Sequence, residues 1–179
     1  MTNWHRILHD HGPTVWRTLW RLLGHRADAE ECFQETFLAA VRAERRDAAV
    51  THWSALLQTL ATARAVDRLR QRYARRRESA GDPDDPTSPD ETASPEPSPS
   101  DVLDGNELSH RLRAALARLP ERQAEVFALH ALSGWSYQEI GEAMEMSSNA
   151  VGVTIHRTRQ RLRELLGESY VNEKTGGVS

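Results

Sequence analysis

The sequence predicts an all-α protein: two small helical domains joined by a flexible linker, the second a helix-turn-helix (a winged-helix-like arrangement without strands). Three observations predict it. Apolar residues recur at three- and four-residue spacing on both sides of the chain's middle, and no stretch alternates with the two-residue period of a strand. Between the two helical parts lies SAGDPDDPTSPDETASPEPSPSDVLDG, which has almost nothing to bury and too many prolines for a helix. Near the C-terminus, a short capped helix, a tight corner and a long basic helix follow one another.

Taken in order, Val15, Leu19, Leu22 and Leu23 define a first helix starting at Gly12-Pro13. Asp28 and Glu31 form a capping-box pattern for a second, whose stripe is Phe33, Phe37, Ala40 and Val41, with Cys32 beside it as a small core residue. A third runs from Trp53, with Leu56, Leu60, Ala63 and Val66 as its apolar line. The domains expected are 1–78 and 106–170, separated by a disordered linker at 79–105 and followed by a disordered tail at 171–179. In the second domain Leu108, Leu112, Ala115, Leu116 and Leu119 repeat at helical spacing, and Pro120 opens a helix carrying Val126, Phe127 and Leu132. Ser136 and Glu139 form another capping box before Ile140 and Ala143. Met144-Glu145-Met146 makes the corner, Ser147 caps the long helix, and Val151, Ile155 and Leu162 are its buried positions.

Composition narrows the function. The 179 residues are 39% hydrophobic and 27% charged, as in an ordinary soluble domain, with no apolar run long enough to span a bilayer and no signal-peptide core. The single cysteine excludes an internal disulfide and fits a reducing compartment. The net charge of −3 conceals a contrast: residues 1–78 carry +5, residues 79–105 carry −8, and the remainder is neutral. Both flanks can therefore meet a polyanion.

The basic stretch RAVDRLRQRYARRR holds seven arginines and one acid, Asp67. Arg64, Arg68, Arg72 and Arg75 share a helix face, joined by Arg76, with only Asp67 as a local partner, which points to phosphates. Tyr73 and Trp53 could stack on unpaired bases or pack in the core, the core being favoured for Trp53. In the long helix, Asn149, Gly152, Val153, His156 and Arg157 face outward, where Asn and Arg side chains suit adenine and guanine edges; later arginines, from Arg159 on, fall nearer phosphates. Glu31, Gln34, Glu35 and Leu38 form a polar patch suited to a protein partner. His5, His9 and His11 could suggest a metal, but Gly12-Pro13 is expected to end any helix there. No HExxH, cysteine pair, phosphate loop or catalytic constellation stands out, so no metal, no cofactor and no enzymatic activity are expected.

Together these motifs resemble a family. DAEECFQETFLAAVR is similar to the polymerase-docking helix of sigma factors, and WSALLQTLATARAVDRLRQR to their promoter-melting helix. LARLPERQAEVFALHALSGWSYQEIGEAMEMSSNAVGVTIHRTRQRLREL resembles their domain for the −35 promoter element. The order and compactness resemble the extracytoplasmic-function group of the sigma-70 family of RNA polymerase sigma factors. The resemblance implies promoter-specific initiation in the bacterial cytoplasm. Its partners would be core RNA polymerase (clamp helices of the largest subunit, flap of the second-largest), promoter DNA and an anti-sigma protein. It places Asp28, Glu31, Gln34, Glu35 and Leu38 against polymerase, with Arg45, Arg46, Trp53, Arg64, Arg68, Arg72, Arg75 and Arg76 near the −10 region. There, loop 43–52 would hold the melted strand and a flipped base. Ser147, Ser148, Asn149, Gly152, Val153, His156, Arg157 and Arg159 would meet the −35 region. Against the family pattern, Ala63 stands where an asparagine is usual, Leu56 where a tryptophan is, Trp53 where a phenylalanine is, Glu145 where a glycine is, and Gly152 where a basic residue is. These departures imply altered −10 contacts and an unusual −35 preference. The alternatives are a stand-alone helix-turn-helix regulator, which would not bind core polymerase, and an enzyme of the His5–His11 cluster, which would carry stoichiometric metal.

Overall fold

The computed structural model describes residues 2–46, 50–79 and 99–175, with side chains described except at 79, 99–106 and 168–175. Seven helices and no strand occur among these residues: α1 (Trp4–Leu23), α2 (Arg26–Arg46), α3 (Trp53–Ser79), α4 (Pro99–Ala117), α5 (Glu121–Ala131), α6 (Tyr137–Met144) and α7 (Ser148–Thr175). The all-α expectation holds. Disorder expected at 80–98 and 176–179 lies outside the described residues, as do loop positions 47–49.

Several boundaries differ from expectation. Helix α1 begins two turns before Gly12-Pro13 and runs through Pro13. The Asn3 side chain caps it by accepting from the Arg6 N–H at 3.0 Å, and Ile7, Val15, Leu19 and Leu22 bury one continuous face on both sides of the proline. Packing along that face outweighs the single hydrogen bond that proline removes. Helix α2 begins at Arg26, so Asp28 lies inside the first turn; its N–H donates to His25 Nδ1, and no Asp28–Glu31 capping box forms. Helix α4 begins at Pro99, inside the expected linker, because proline lacks only a donor that the first helical position leaves unused. Helix α7 continues to Thr175, into the expected tail.

The buried faces of α2 and α3 are also rotated from those expected. Ala29, Cys32, Thr36 and Ala40 are the fully buried positions of α2, facing Leu57, Ala61, Ala65, Val66 and Leu69 of α3. Small residues on both sides bring the helices together, with Cys32 Sγ 3.9 Å from the Arg64 carbonyl oxygen. Burial pushes the Cys32 thiol up to about 11, so it is inert core. Phe33 and Phe37 turn instead toward α1, where Phe33 meets Trp16 edge-on with ring centroids 6.0 Å apart. Sequence periodicity misplaced the stripe because large aromatics can pack from its flank, whereas only small residues fit a close helix seam. Thr18 donates to Gln58 Oε1 at 2.9 Å across α1 and α3, satisfying both polar groups inside the core.

The two helical parts are not separate bodies in this arrangement. Ala115, Leu116, Leu119, Leu162 and Leu165 join the same apolar cluster as Leu69 and the α1–α3 core, while Leu108 stays exposed. Polar contacts follow this seam. Arg113 donates to the carbonyls of Leu22 (3.0 Å) and Arg21 (3.3 Å), Arg21 donates to the Leu132 carbonyl, and Arg70 pairs with Glu121. Tyr73 is half-buried and engaged: its hydroxyl donates to the His110 carbonyl at 3.3 Å, and Arg72 and Arg76 lie over its ring.

The seam contains a pH-sensitive group. Arg76 donates to His110 Nε2 at 3.1 Å, which requires that nitrogen unprotonated. Burial, then the neighbouring Arg76, Arg72 and Arg113 charges, hold the His110 imidazole below its ordinary value of 6.5. The unfolded or separated chain therefore takes up the proton first. The contact contributes above about pH 6.5 and is lost as pH falls below it. Lowering pH from roughly 7.5 to 5.5 should loosen the seam modestly, seen as reduced energy transfer between labels on α1 and α7. His110→Gln should flatten that dependence.

Candidate nucleic-acid interface

Helices α5, α6 and α7 build a second, smaller core from Val126, Leu129, Ile140, Val151 and Ile155, closed by Trp135, Met144 and Met146. This core fixes the corner. Ser136 caps α6 reciprocally: its Oγ accepts from the Glu139 N–H at 3.2 Å, while the Glu139 carboxylate accepts from the Ser136 N–H at 2.8 Å. The Ser136 N–H and the Ser136 hydroxyl, which donates to the same carboxylate at 2.7 Å, lower the carboxyl of Glu139 below its usual range. Helix α6 ends in Glu145, whose φ of 53° is left-handed, with its N–H bonded to the Gly141 carbonyl. Ser147 Oγ then accepts from the Ala150 N–H at 3.1 Å and starts α7. Arg122 donates to the Met144 carbonyl, tying the corner to α5.

Glu145 is the one non-glycine residue with positive φ among those described. A side chain there costs about 1 kcal/mol relative to glycine. Glu145→Gly should therefore raise stability by about 0.5–1 kcal/mol in urea titrations, with helix content unchanged.

On this frame, Val151, Ile155, Thr158 and Leu162 face inward, and Ser148, Asn149, Val153, His156, Arg157, Arg159, Arg161 and Arg163 are exposed. Ser147 is exposed at the cap, and Gly152 is half-buried beside the Tyr137 ring. Asn149, Gly152, Val153, His156 and Arg157 share one shallow cleft with Tyr137 and Ser148. The outward positions expected from spacing thus lie together. The residues that hold the corner, Gly141 and Arg122, were not singled out from sequence. A glycine inside an eight-residue helix is a usable signal for close packing; an arginine twenty-two residues before the carbonyl it bonds is not.

The arginine helix is less free than its spacing suggested. Arg68 pairs with Glu31 at 2.8 Å and lies 3.7 Å from Asp28; Arg72 pairs with Asp28 at 3.2 Å and donates to the Leu23 carbonyl at 3.1 Å. The acids that offset this run come from α2 and, for Arg70, from Glu121 of α5, not from the local i, i+4 positions, and Asp67 accepts from Gln71 instead. Hydrogen bonding from Arg68 lowers the Glu31 carboxyl and raises the Arg68 guanidinium. Arg64 is half-buried with its Nε unpartnered, Arg70 and Arg76 face α5 and α4, and Arg75 and Arg77 are exposed. Trp53 packs edge-on against Trp4 with centroids 5.0 Å apart, and Trp4 donates to Glu44. Arg45 and Arg46 are exposed at the end of α2, and residues 43–46 of the expected loop are helical. On α2, Gln34 and Leu38 are exposed, Leu38 by 56%, and Glu35 is half-buried.

Among the described residues no group of three or more histidine, cysteine, aspartate or glutamate side chains is assembled for a metal, and no helix is long and apolar enough to cross a membrane.

A capped helix-turn-helix with a basic outer helix, joined to a three-helix unit bearing an exposed polar-apolar face, defines a DNA-binding protein of the transcription machinery. Residues 7–76 match the model of sigma-70 region 2, and residues 109–162 that of sigma-70 region 4. The chain is 35% identical over 159 residues to the RNA polymerase sigma factor CarQ of Myxococcus xanthus, covering 88% of this chain and 86% of that protein. It is 30% identical over 168 residues to the ECF RNA polymerase sigma factor SigE of Mycolicibacterium smegmatis, covering 94% of this chain and 63% of that longer protein. A solved structure of the sigma factor RpoE in complex with the anti-sigma factor NepR from Bartonella quintana is similar in fold. Its TM-score is 0.54 at 23% identity, over 91% of this chain and 96% of that one. The chain belongs to the sigma-70 family of RNA polymerase sigma factors, in the extracytoplasmic-function group.

Proposed function

We propose that the chain directs bacterial core RNA polymerase to a specific set of promoters and helps hold the melted strand, without catalysing a reaction itself. The observation that carries this reading is the pairing of two exposed faces on separate frames. One is the outward face of α7, supported by its own core; the other is Gln34 and Leu38 on α2, beside the Glu31 and Asp28 ion pairs. Asn149, His156 and Arg157, flanked by Ser147 and Ser148, would meet base edges of the −35 element, and Arg159 its phosphates. Asp28, Glu31, Gln34, Glu35 and Leu38 would dock on the clamp helices, and the α4–α7 unit on the flap. Arg45, Arg46, Arg75 and neighbours would follow the −10 strand. Trp53 contributes there by holding α1 against α3, since its ring is already engaged by Trp4. The stretch between α3 and α4 would act as a tether, so two modest contacts reinforce one another through effective concentration. An anti-sigma protein is a further expected partner, and the bacterial cytoplasm the expected compartment.

Transcription in vitro with core polymerase on a randomised promoter library tests this. A restricted set of templates should yield transcripts only when the chain is added. Leu38→Arg should lower binding to core in the absence of DNA. A chain that binds library duplexes but never associates with core would overturn the reading.

A further inference from the structure

Among its described side chains, the outer face of α7 is polar and basic except at one place. Tyr137 and Val153 are the exposed large hydrophobic residues of the helix-turn-helix. Gly152 lies between them, and a Cβ there would come within 3.3 Å of the Tyr137 ring edge. The absent side chain leaves a shallow apolar notch within a cleft of about 370 Å³, bordered by Asn149, His156 and Arg157. The Tyr137 ring is held in place: His130 packs against it with centroids 5.2 Å apart and donates Nδ1–H to the Trp135 carbonyl at 2.9 Å. A fixed ring, a bare backbone and an exposed valine form a preorganised contact, not a solvated helix surface.

We infer that this notch reads the 5-methyl group of a thymine in the upstream promoter element, an inference that rests on the promoter-binding role proposed above. The occupant follows from position. The surrounding Arg157 and Arg159 set a cationic face that suits DNA, and the cleft lies in the N-terminal half of the second helix, the part that enters a major groove. Among base edges in that groove, thymine alone presents an apolar group. Gly152 lets that base edge approach the helix backbone, Val153 and Tyr137 shield the methyl from water, and Asn149 and Arg157 remain free for polar edges on either side. The glycine thereby exchanges a charged, sequence-tolerant contact for an apolar, base-specific one.

The test uses holoenzyme, reconstituted from the full chain and core polymerase, on a promoter recovered from the transcribed library. Each thymine of the protected upstream element is replaced singly by 2′-deoxyuridine, which deletes the methyl and nothing else. One replacement should weaken binding about fourfold, equivalent to about 0.8 kcal/mol for one carbon removed from water. Val153→Ala and the isosteric Val153→Thr should each bind thymine and uracil templates equally, with unchanged thermal unfolding because Val153 is exposed. The inference is overturned if no replacement changes affinity more than about 1.5-fold, if discrimination persists in both variants, or if the protected element contains no thymine. Holoenzyme that transcribes normally but ignores the methyl removes this inference alone; absence of transcript from every template removes the promoter role and the inference together.

Discussion

Gly141→Ala should destabilise the helix-turn-helix by about 2–3 kcal/mol and abolish recognition of the upstream element. Gly141 is buried in α6, and an alanine Cβ there would lie 2.6 Å from the Met146 carbonyl oxygen and 3.6 Å from the Ser148 nitrogen. The obstruction is backbone, so no rotamer change relieves it. The same residue's carbonyl accepts from both the Glu145 and Met146 N–H groups, the latter at 2.8 Å, so the corner is bonded where it would have to move. Shifting it displaces Ser147 and the start of α7, and with them Asn149 and Val153. Urea unfolding and footprinting of the upstream element check the two halves of this expectation. Native stability in Gly141→Ala would mean that the corner can open without cost.

Arg113→Ala should open the seam between the α1–α3 unit and the α4–α7 unit. The last carbonyls of α1 lack helical partners, and three are capped by imported arginines: Leu23 by Arg72 of α3, Leu22 and Arg21 by Arg113 of α4. Gly24 is left-handed at this end, and any Cβ there would overlap the Arg113 guanidinium. A hydrogen bond from a charged donor contributes about 1.5–3 kcal/mol, so its loss should shift the closed-to-open ratio by roughly ten- to a hundredfold. Leu116, Leu119, Leu162 and Leu165 still oppose opening. Cysteines at exposed Thr14 and Gln160, with buried Cys32 left in place, report the change as lost energy transfer. The opening bears on function. Elements named for positions 10 and 35 are ~25 base pairs apart, about 85 Å of duplex at ~3.4 Å per pair. A compact unit of about 150 residues is only roughly 40 Å across. Occupying both elements at once therefore requires α4–α7 to leave α1 and α3, and Arg113→Ala should favour holoenzyme formation. Unchanged energy transfer in this variant would assign the seam wholly to its leucines.

What was legible in the sequence is local. The Ser136–Glu139 box, the Ser147 cap and the outward register from Asn149 to Arg157 depend on neighbours three or four residues away, and spacing captures such contacts directly. The same holds for helix content, for the inward positions Val151, Ile155 and Leu162, and for the order of motifs that resembles the sigma family. The misread features depend on distant residues. Pro13 ends no helix because packing against α2 and α3 holds both sides of it. Cys32, not Phe33, lies at the centre of the α2 seam because the approach of α3 admits only small side chains. The arginine run, with one local acid in the sequence, gains Asp28 and Glu31 from forty residues upstream and Glu121 from fifty downstream. By itself the sequence determined that the chain is helical, the Ser136 and Ser147 caps and the face that α7 turns outward, because each is set by interactions within one or two helical turns. Only the tertiary structure decided which arginines remain free, why residue 141 must be glycine and that both units share one core. Those depend on partners that the fold, and not the order of residues, brings within reach.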